Sequence, residues 1–159
     1  MSDSRGKPET ESTRRVFAGL IPHMDVLGMD TVSAADGVAI IRLPWRADLV
    51  GDPETSVLHG GVVTTLIDTA SGLAAITGLE TPEPVATLDL RIDYLRPATP
   101  RVDLFARAEC YRLTSRIAFV RATAYQSDPD DLVASSVSTF MLTKTLGPQA
   151  TVVAADRSR

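Results

Sequence analysis

Cysteine is almost missing from this chain: Cys110 stands alone, so no internal disulfide can form and no thiolate metal cluster can assemble. Beside Tyr111 in strand-like sequence, it reads as a packing residue. Histidine is nearly as scarce. His23 and His59 are too few and too far apart to suggest a zinc site. Lysine occurs only at Lys7 and Lys144, so arginine carries nearly all the positive charge. Guanidinium forks suit phosphate and carboxylate partners, and a compositional bias in the source genome accounts for the excess equally well. There is no surplus of positive charge: the net charge of −4 disfavours non-specific nucleic-acid binding. The polar N-terminus lacks the apolar core of a signal peptide, so a cytoplasmic protein is expected. No repeat or low-complexity run is visible. What remains, with 44% hydrophobic and 23% charged residues in a chain of 159, is one globular domain with a sizeable core.

The chain is organised around residues 57–76. Between Thr55 and Leu79 the only formal charge is Asp68; the rest is apolar, small or hydroxylic. The stretch is nearly long enough to span a bilayer. Its threonines, its glycines, Asp68 and the strand pattern after it count against that, and no membrane association is expected. A helix over 59–78 that is apolar nearly all round must be wrapped by other elements. A carboxylate inside it is costly, because burial penalises the ionised form and raises an acid's pKa. Chemistry is a good reason for its presence.

The flanking pattern supplies the wrapping. Residues 1–10 are expected to be mobile, residues 11–146 to form the single domain, and 147–159 a polar tail. Val16, Phe17, Leu20 and Ile21 suggest a short amphipathic helix over 11–23, ended by Pro22 and the Gly28 region. Strands are expected over 30–34 and 37–45, with a loop over 48–53. Four more follow over 85–95, 102–112, 115–126 and 132–143. The first of these alternates, with Ala86, Leu88, Leu90, Ile92 and Tyr94 on one face and Thr87, Asp89, Arg91 and Asp93 on the other. The expected fold is α+β, a curved antiparallel sheet wrapped around one long central helix.

Three features together resemble a known family: the order of elements, His59-Gly60-Gly61 opening the helix, and Asp68 nine residues past the histidine. The segment Thr87-Leu88-Asp89-Leu90-Arg91-Ile92-Asp93-Tyr94-Leu95-Arg96-Pro97-Ala98 adds to the likeness. The chain is similar, from about residue 17 to 142, to the hotdog-fold acyl-CoA thioesterases of the PaaI-like (phenylacetate-pathway) branch. The resemblance implies hydrolysis of acyl- or aryl-CoA without metal or other cofactor, by homodimers often paired into tetramers. It implies that Gly60 offers a backbone N–H to the thioester oxygen, that Asp68 is nucleophile or general base, and that Thr87 helps place the water. The family commonly carries an Asn or Gln about six residues before the histidine. Here Pro53 stands at that spacing, so Asp52, Glu54 or Ser56 must substitute, or activity is weakened.

Those residue types suit thioester hydrolysis on physical grounds. Negative charge develops on the carbonyl oxygen, and N–H groups at a helix N-terminus stabilise it. Gly60 and Gly61 present no side chain to block the approach, and His59 can hydrogen-bond the loop and hold them. Asp68 lies ~12 Å along the axis from Gly60 at 1.5 Å per residue, too far for one helix to supply both groups to one carbonyl. Two antiparallel helices across a two-fold interface would solve this, each giving its N-terminus to the other's aspartate. Arg112, Ser115 and Arg116 at a hairpin turn are candidates for the CoA phosphates, with Arg91 and Arg96 as further ones. Plainer roles stand beside these: Asp68 as a cap, Asp52 shaping its loop, Thr87 as a strand threonine, Ser71 touching the water or merely packing. A non-catalytic acyl-CoA binding module and a hotdog hydratase or dehydratase are the competing functions.

Overall fold

The computed structural model describes residues 21–143; the expected tails over 1–10 and 147–159, and most of the expected first helix, lie outside them. The helix that is described, α1 (Pro22–Leu27), corrects the expectation: Pro22 begins a helix rather than ending one. Proline suits the first helical position, where no N–H is needed and φ is preset. Gly28 ends it in the left-handed region at φ 69°.

Strands β1 (Asp30–Ala35) and β2 (Val38–Leu43) form a hairpin. A 3-10 turn (Ala47–Leu49) follows, then the small hairpin of β3 (Val50–Asp52) and β4 (Val57–Leu58). The expected loop over 48–53 thus carries a strand. The long helix α2 (Gly60–Thr77) comes next, then β5 (Val85–Tyr94), β6 (Leu104–Leu113), β7 (Ile117–Tyr125) and β8 (Leu132–Leu142). The six long strands make one antiparallel sheet in the order β1-β2-β6-β7-β8-β5.

The sheet curls around α2 because its inner face is built of small residues. Ala39, Ala106, Ala108, Ala118, Ala122, Ala124 and Ala134 are all buried there, which lets the backbone approach the helix closely. Val63, Leu66, Ile67, Ala70, Leu73, Ala74 and Ala75 fill the space from the helix side. Each fully buried Leu or Ile contributes about 1.5–3 kcal/mol by leaving water. Register shifts in β1, β5 and β6 bend the sheet further.

Two expectations change here. The helix is not buried all round: Gly60 and Gly61 are exposed, and Thr64, Thr65, Asp68, Thr69 and Gly72 are half-buried along one stripe. The alternation expected of β5 breaks at Leu88. Thr87 pairs with Phe140 and Asp89 with Thr139, leaving Leu88 as the extra residue of a β-bulge. Thr87 consequently joins Leu90, Ile92 and Tyr94 on the helix side, and Leu88 is 52% exposed.

Candidate active site

The N-terminus of α2 is held with unusual completeness. His59 is the N-cap in extended backbone, and its Nδ1 accepts the Gly61 N–H at 3.0 Å. An Nδ1 that accepts is unprotonated, so the neutral ring carries its proton on Nε2. The His59 N–H donates to the Leu49 carbonyl, and the Val62 N–H donates to the His59 carbonyl, both at 2.9 Å. The Gly60 carbonyl accepts from the Tyr94 hydroxyl at 2.9 Å, and Thr64 Oγ1, with one proton to give, lies 3.1 Å from that carbonyl and 2.8 Å from Tyr94 Oη. Among the described residues, the Gly60 N–H is left without a partner. Helix polarity favours an anion at that point.

The glycines around this terminus differ in what requires them. A Cβ at Gly51 would fall 2.9 Å from His59 Cα, and one at Gly61 would fall 3.0 Å from His59 Nδ1. Both positions exclude a side chain so that the histidine can sit where it does. A Cβ at Gly60 would meet nothing nearer than the Tyr94 hydroxyl at 3.6 Å, an ordinary contact. Among the described residues, no neighbour within the protomer demands a glycine at 60.

Asp68 lies two turns further along the exposed stripe. Its Oδ1 accepts a hydrogen bond from Thr87 Oγ1 at 3.0 Å, which orients the carboxylate and leaves its second oxygen available. The bulge at Leu88 makes this contact possible, since unbroken alternation would turn Thr87 to the other face. Within one protomer Asp68 and Gly60 remain separated by the ~12 Å of helix between them.

Other expected site residues are distributed elsewhere. Asp52 is turned to its own loop, where it accepts from the Glu54 N–H at 3.1 Å and Thr55 Oγ1 at 2.7 Å. Those donors hold its carboxyl below the usual carboxylate range. Ser71 faces the core fully buried, and among the described residues its Oγ has no hydrogen-bond partner; it cannot touch a water at the exposed stripe. Arg91 is exposed and pairs with Asp93 at 3.0 Å. The donors of Arg96 are taken up by Asp131, Pro97 and Gln126. Arg112, Ser115 and Arg116 lie at the β6–β7 hairpin, next to the far end of α2, where Leu113 approaches Gly78. That is about 26 Å from Gly60 along the axis at 1.5 Å per residue.

Sequence reasoning does not single out Tyr94, Gly51 or a cleft beside Gly60. The cleft, about 350 Å³, is lined by Gly60 and Tyr94 together with Val57, Leu58, Val63, Ala98 and Val133. Its loop wall is fixed by buried Gln126, whose amide bonds the Thr99 N–H and the Thr99 and Val102 carbonyls. The clue in the sequence is the Tyr-Leu-Arg-Pro-Ala run itself, which by pattern alone reads only as a strand end. Among the described residues no three His, Cys, Asp or Glu side chains gather as metal ligands.

This architecture matches known proteins. A family model for the thioesterase superfamily matches residues 55–133. The phenylacetic acid degradation protein PaaI of Thermus thermophilus, solved as a single-residue mutant, is 31% identical with a TM-score of 0.68, the alignment covering 77% of this chain and 99% of that one. The medium/long-chain acyl-CoA thioesterase YigI of Escherichia coli is 27% identical over 141 residues, covering 80% of this chain and 89% of that protein. A Halobacterium salinarum relative that carries an esterase name is 41% identical over 97 residues, but the match spans 59% of this chain and 63% of that protein. The chain belongs to the thioesterase superfamily of thioester hydrolases, in its PaaI-like hotdog branch.

Proposed function

We propose that the chain hydrolyses acyl- or aryl-CoA thioesters to free acid and CoA, at a site shared by two copies. The observation that carries this is the pair of marked positions on α2: the Gly60 N–H at its start, unpartnered among the described residues, and the Thr87-oriented carboxylate of Asp68 in its middle. The Gly60 N–H receives the thioester oxygen. Asp68, as general base, takes a proton from water while the water oxygen bonds the carbonyl carbon. The resulting oxyanion stays on the amide, the C–S bond breaks, and the CoA thiolate departs. With Asp68 as nucleophile, its oxygen bonds the carbonyl carbon, the C–S bond breaks as the CoA thiolate departs, and water cleaves the resulting anhydride to the free acid and Asp68. The apolar cleft beside Gly60 receives the acyl group.

The edge of the sheet supports the shared site. β5 is a ten-residue edge strand with no neighbour on its outer side among the described residues, and long free edges pair readily. Thr87 marks the position of Asp68 on this strand, and Tyr94 marks that of Gly60. A two-fold axis at Arg91, with Leu88 left out as the bulge, sets Thr87 opposite the partner's Tyr94. Strands about 4.8 Å apart then bring Asp68 beside the partner's Gly60. The antiparallel helices also bring the partner's Arg112, Ser115 and Arg116 hairpin toward the Gly60 end, where CoA phosphates need cations. Association of such dimers into tetramers, and a cytoplasmic location, belong to the same reading.

Thiol release from a panel of acyl- and aryl-CoA esters tests the reaction, and no release from any of them would favour the binding-module reading. Mixing two variants tests the shared site. Asp68→Asn and Gly60→Ala are each expected to be inactive, yet a one-to-one mixture makes half heterodimers, each with one intact site. Activity should return to about a quarter of wild type by this symmetry. No recovery after verified subunit exchange would refute a shared site.

A further inference from the structure

Beside the charge of Asp68, the glycine amide at the start of α2 raises a separate question of control. Gly60 has no side chain to restrict it, so its peptide planes must be held from outside. The plane before it is held by the Val62 N–H on the His59 carbonyl. The plane after it is held at both ends: its N–H, from Gly61, by His59 Nδ1, and its carbonyl, from Gly60, by the Tyr94 hydroxyl. Tyr94 Oη also lies 2.8 Å from Thr64 Oγ1. One ordering of protons satisfies all three groups, with Thr64 donating to Tyr94 and Tyr94 donating to the Gly60 carbonyl.

We infer that Tyr94 is a positioning residue for the hydrolysis: its hydroxyl clamps the Gly60 carbonyl and so fixes the torsions of Gly60 that join this plane to the preceding one, aiming the N–H of that preceding plane, the one left uncommitted at the helix start among the described residues, at the substrate oxygen. This rests on the function proposed above. The ring of Tyr94 also lines the acyl cleft, so a change of its hydroxyl must be separated from a change of the cleft wall. Tyr94→Phe does this, because it keeps the ring and removes only the clamp. Tyr94 is half exposed and the substitution adds no atoms, so the variant is expected to fold.

The test compares wild type, Tyr94→Phe, Thr64→Val and the double variant by thiol release on the best substrate of the panel. Binding is measured in parallel with a CoA thioether in which a methylene replaces the thioester carbonyl. Tyr94→Phe should lower kcat on the order of ten-fold, as a small misplacement of a catalytic group does. KM and the thioether Kd should stay within about two-fold, since the thioether has no oxygen for the amide to hold. The double variant should lose little beyond Tyr94→Phe, because the two hydroxyls act in one chain. A kcat within about two-fold of wild type, or a loss confined to KM and the thioether Kd, overturns the inference while leaving the proposed reaction standing. A wild type inert on every ester fails the proposed reaction, and the clamp falls with it.

Discussion

Substituting alanine at Gly51 and at Gly60 separates two reasons for a glycine that the sequence presents alike. At Gly51 the new methyl would lie 2.9 Å from His59 Cα and 3.3 Å from both Cβ and Cδ2 of the same residue. Carbon atoms are in favourable contact at about 3.5–4.0 Å, so β3 and His59 must separate by roughly 0.6 Å or more. The first atom met is backbone, which cannot rotate away. A shift of that size stretches the 3.0 Å bond from the Gly61 N–H to His59 Nδ1 toward 3.6 Å, beyond hydrogen-bonding range. Loss of the cap costs ~1 kcal/mol and the overpacking another ~1–3 kcal/mol. At about 2–4 °C per kcal/mol for a chain of this size, Tm should fall by at least ~4 °C. The Gly60 amide moves with its cap, so kcat should fall on the order of ten-fold or more. At Gly60 the methyl meets only ordinary contacts inside the protomer, and alanine is a better helix former. Gly60→Ala should therefore leave Tm unchanged or slightly raised while abolishing thiol release, since the methyl stands where the substrate oxygen approaches. Thermal unfolding and thiol release on the two variants decide the matter. Gly51→Ala with unaltered Tm and kcat, or Gly60→Ala with full activity, would refute the assignment.

Asp68→Asn keeps an acceptor for Thr87 and should leave Tm within about 1 °C, while kcat falls at least ~100-fold as expected for loss of a base or nucleophile. Replacing Thr87 with valine should cost several-fold in kcat by freeing the carboxylate, and serine at the same position should restore most of it, as steady-state kinetics would show. In a Cys110→Ser background, Arg91→Cys should form an intermolecular disulfide on oxidation, because in the proposed dimer the axis residue faces its own copy at the short Cα spacing a disulfide needs; a chain that stays monomeric on a non-reducing gel rejects that axis. The backbone N–H of Trp45, then the Arg42 guanidinium, hold the Asp103 carboxyl below its usual value. A depressed pKa stabilises the fold above the unfolded value near 3.9 and loses that contribution as pH falls through the lower folded value. Asp103→Asn should thus be less stable than wild type at neutral pH, and the difference should shrink below about pH 4 in acid unfolding.

Much of this molecule can be read from residue order, because its strongest signals are local and repeated. The run over 57–76, charged only at Asp68, announces a wrapped helix, Gly60 and Gly78 bound it, and alternating strands before and after it leave few ways to bury its apolar face. The helix terminus is legible for the same reason: a histidine before two glycines is a local pattern with a local cause. The failures share the opposite property. Pro22 reads as a stop, since proline ends a helix as readily as it starts one and an apolar helical pattern precedes it. Gly51 looks like an ordinary loop glycine because its partner, His59, is brought to it only when β3 pairs with β4. Asp52 looks available for chemistry in the sequence, whereas its donors are two residues of its own turn.

The β5 strand shows most clearly where reading by period must stop. Strict alternation places Thr87 with Asp89, Arg91 and Asp93, on the face away from Asp68. One unpaired residue, Leu88, reverses the phase for everything before it and delivers the threonine hydroxyl to the carboxylate. Nothing in the composition of 85–94 marks that residue as the extra one, because the choice is made by the neighbouring strand β8, where Phe140 and Thr139 are consecutive while their partners are not. The same bulge bends the strand around the helix, so the curvature of the sheet and the orientation of the Asp68 carboxylate have one cause. A variant that deletes Leu88 sets Thr87 directly before Asp89 in simple alternation, so it should straighten β5 yet keep Thr87 on the helix side with its bond to Asp68, and Leu88→Ala, which keeps the count, should retain both the bend and that bond; a deletion variant that loses thiol release while Thr87→Val does not would refute this account of the strand.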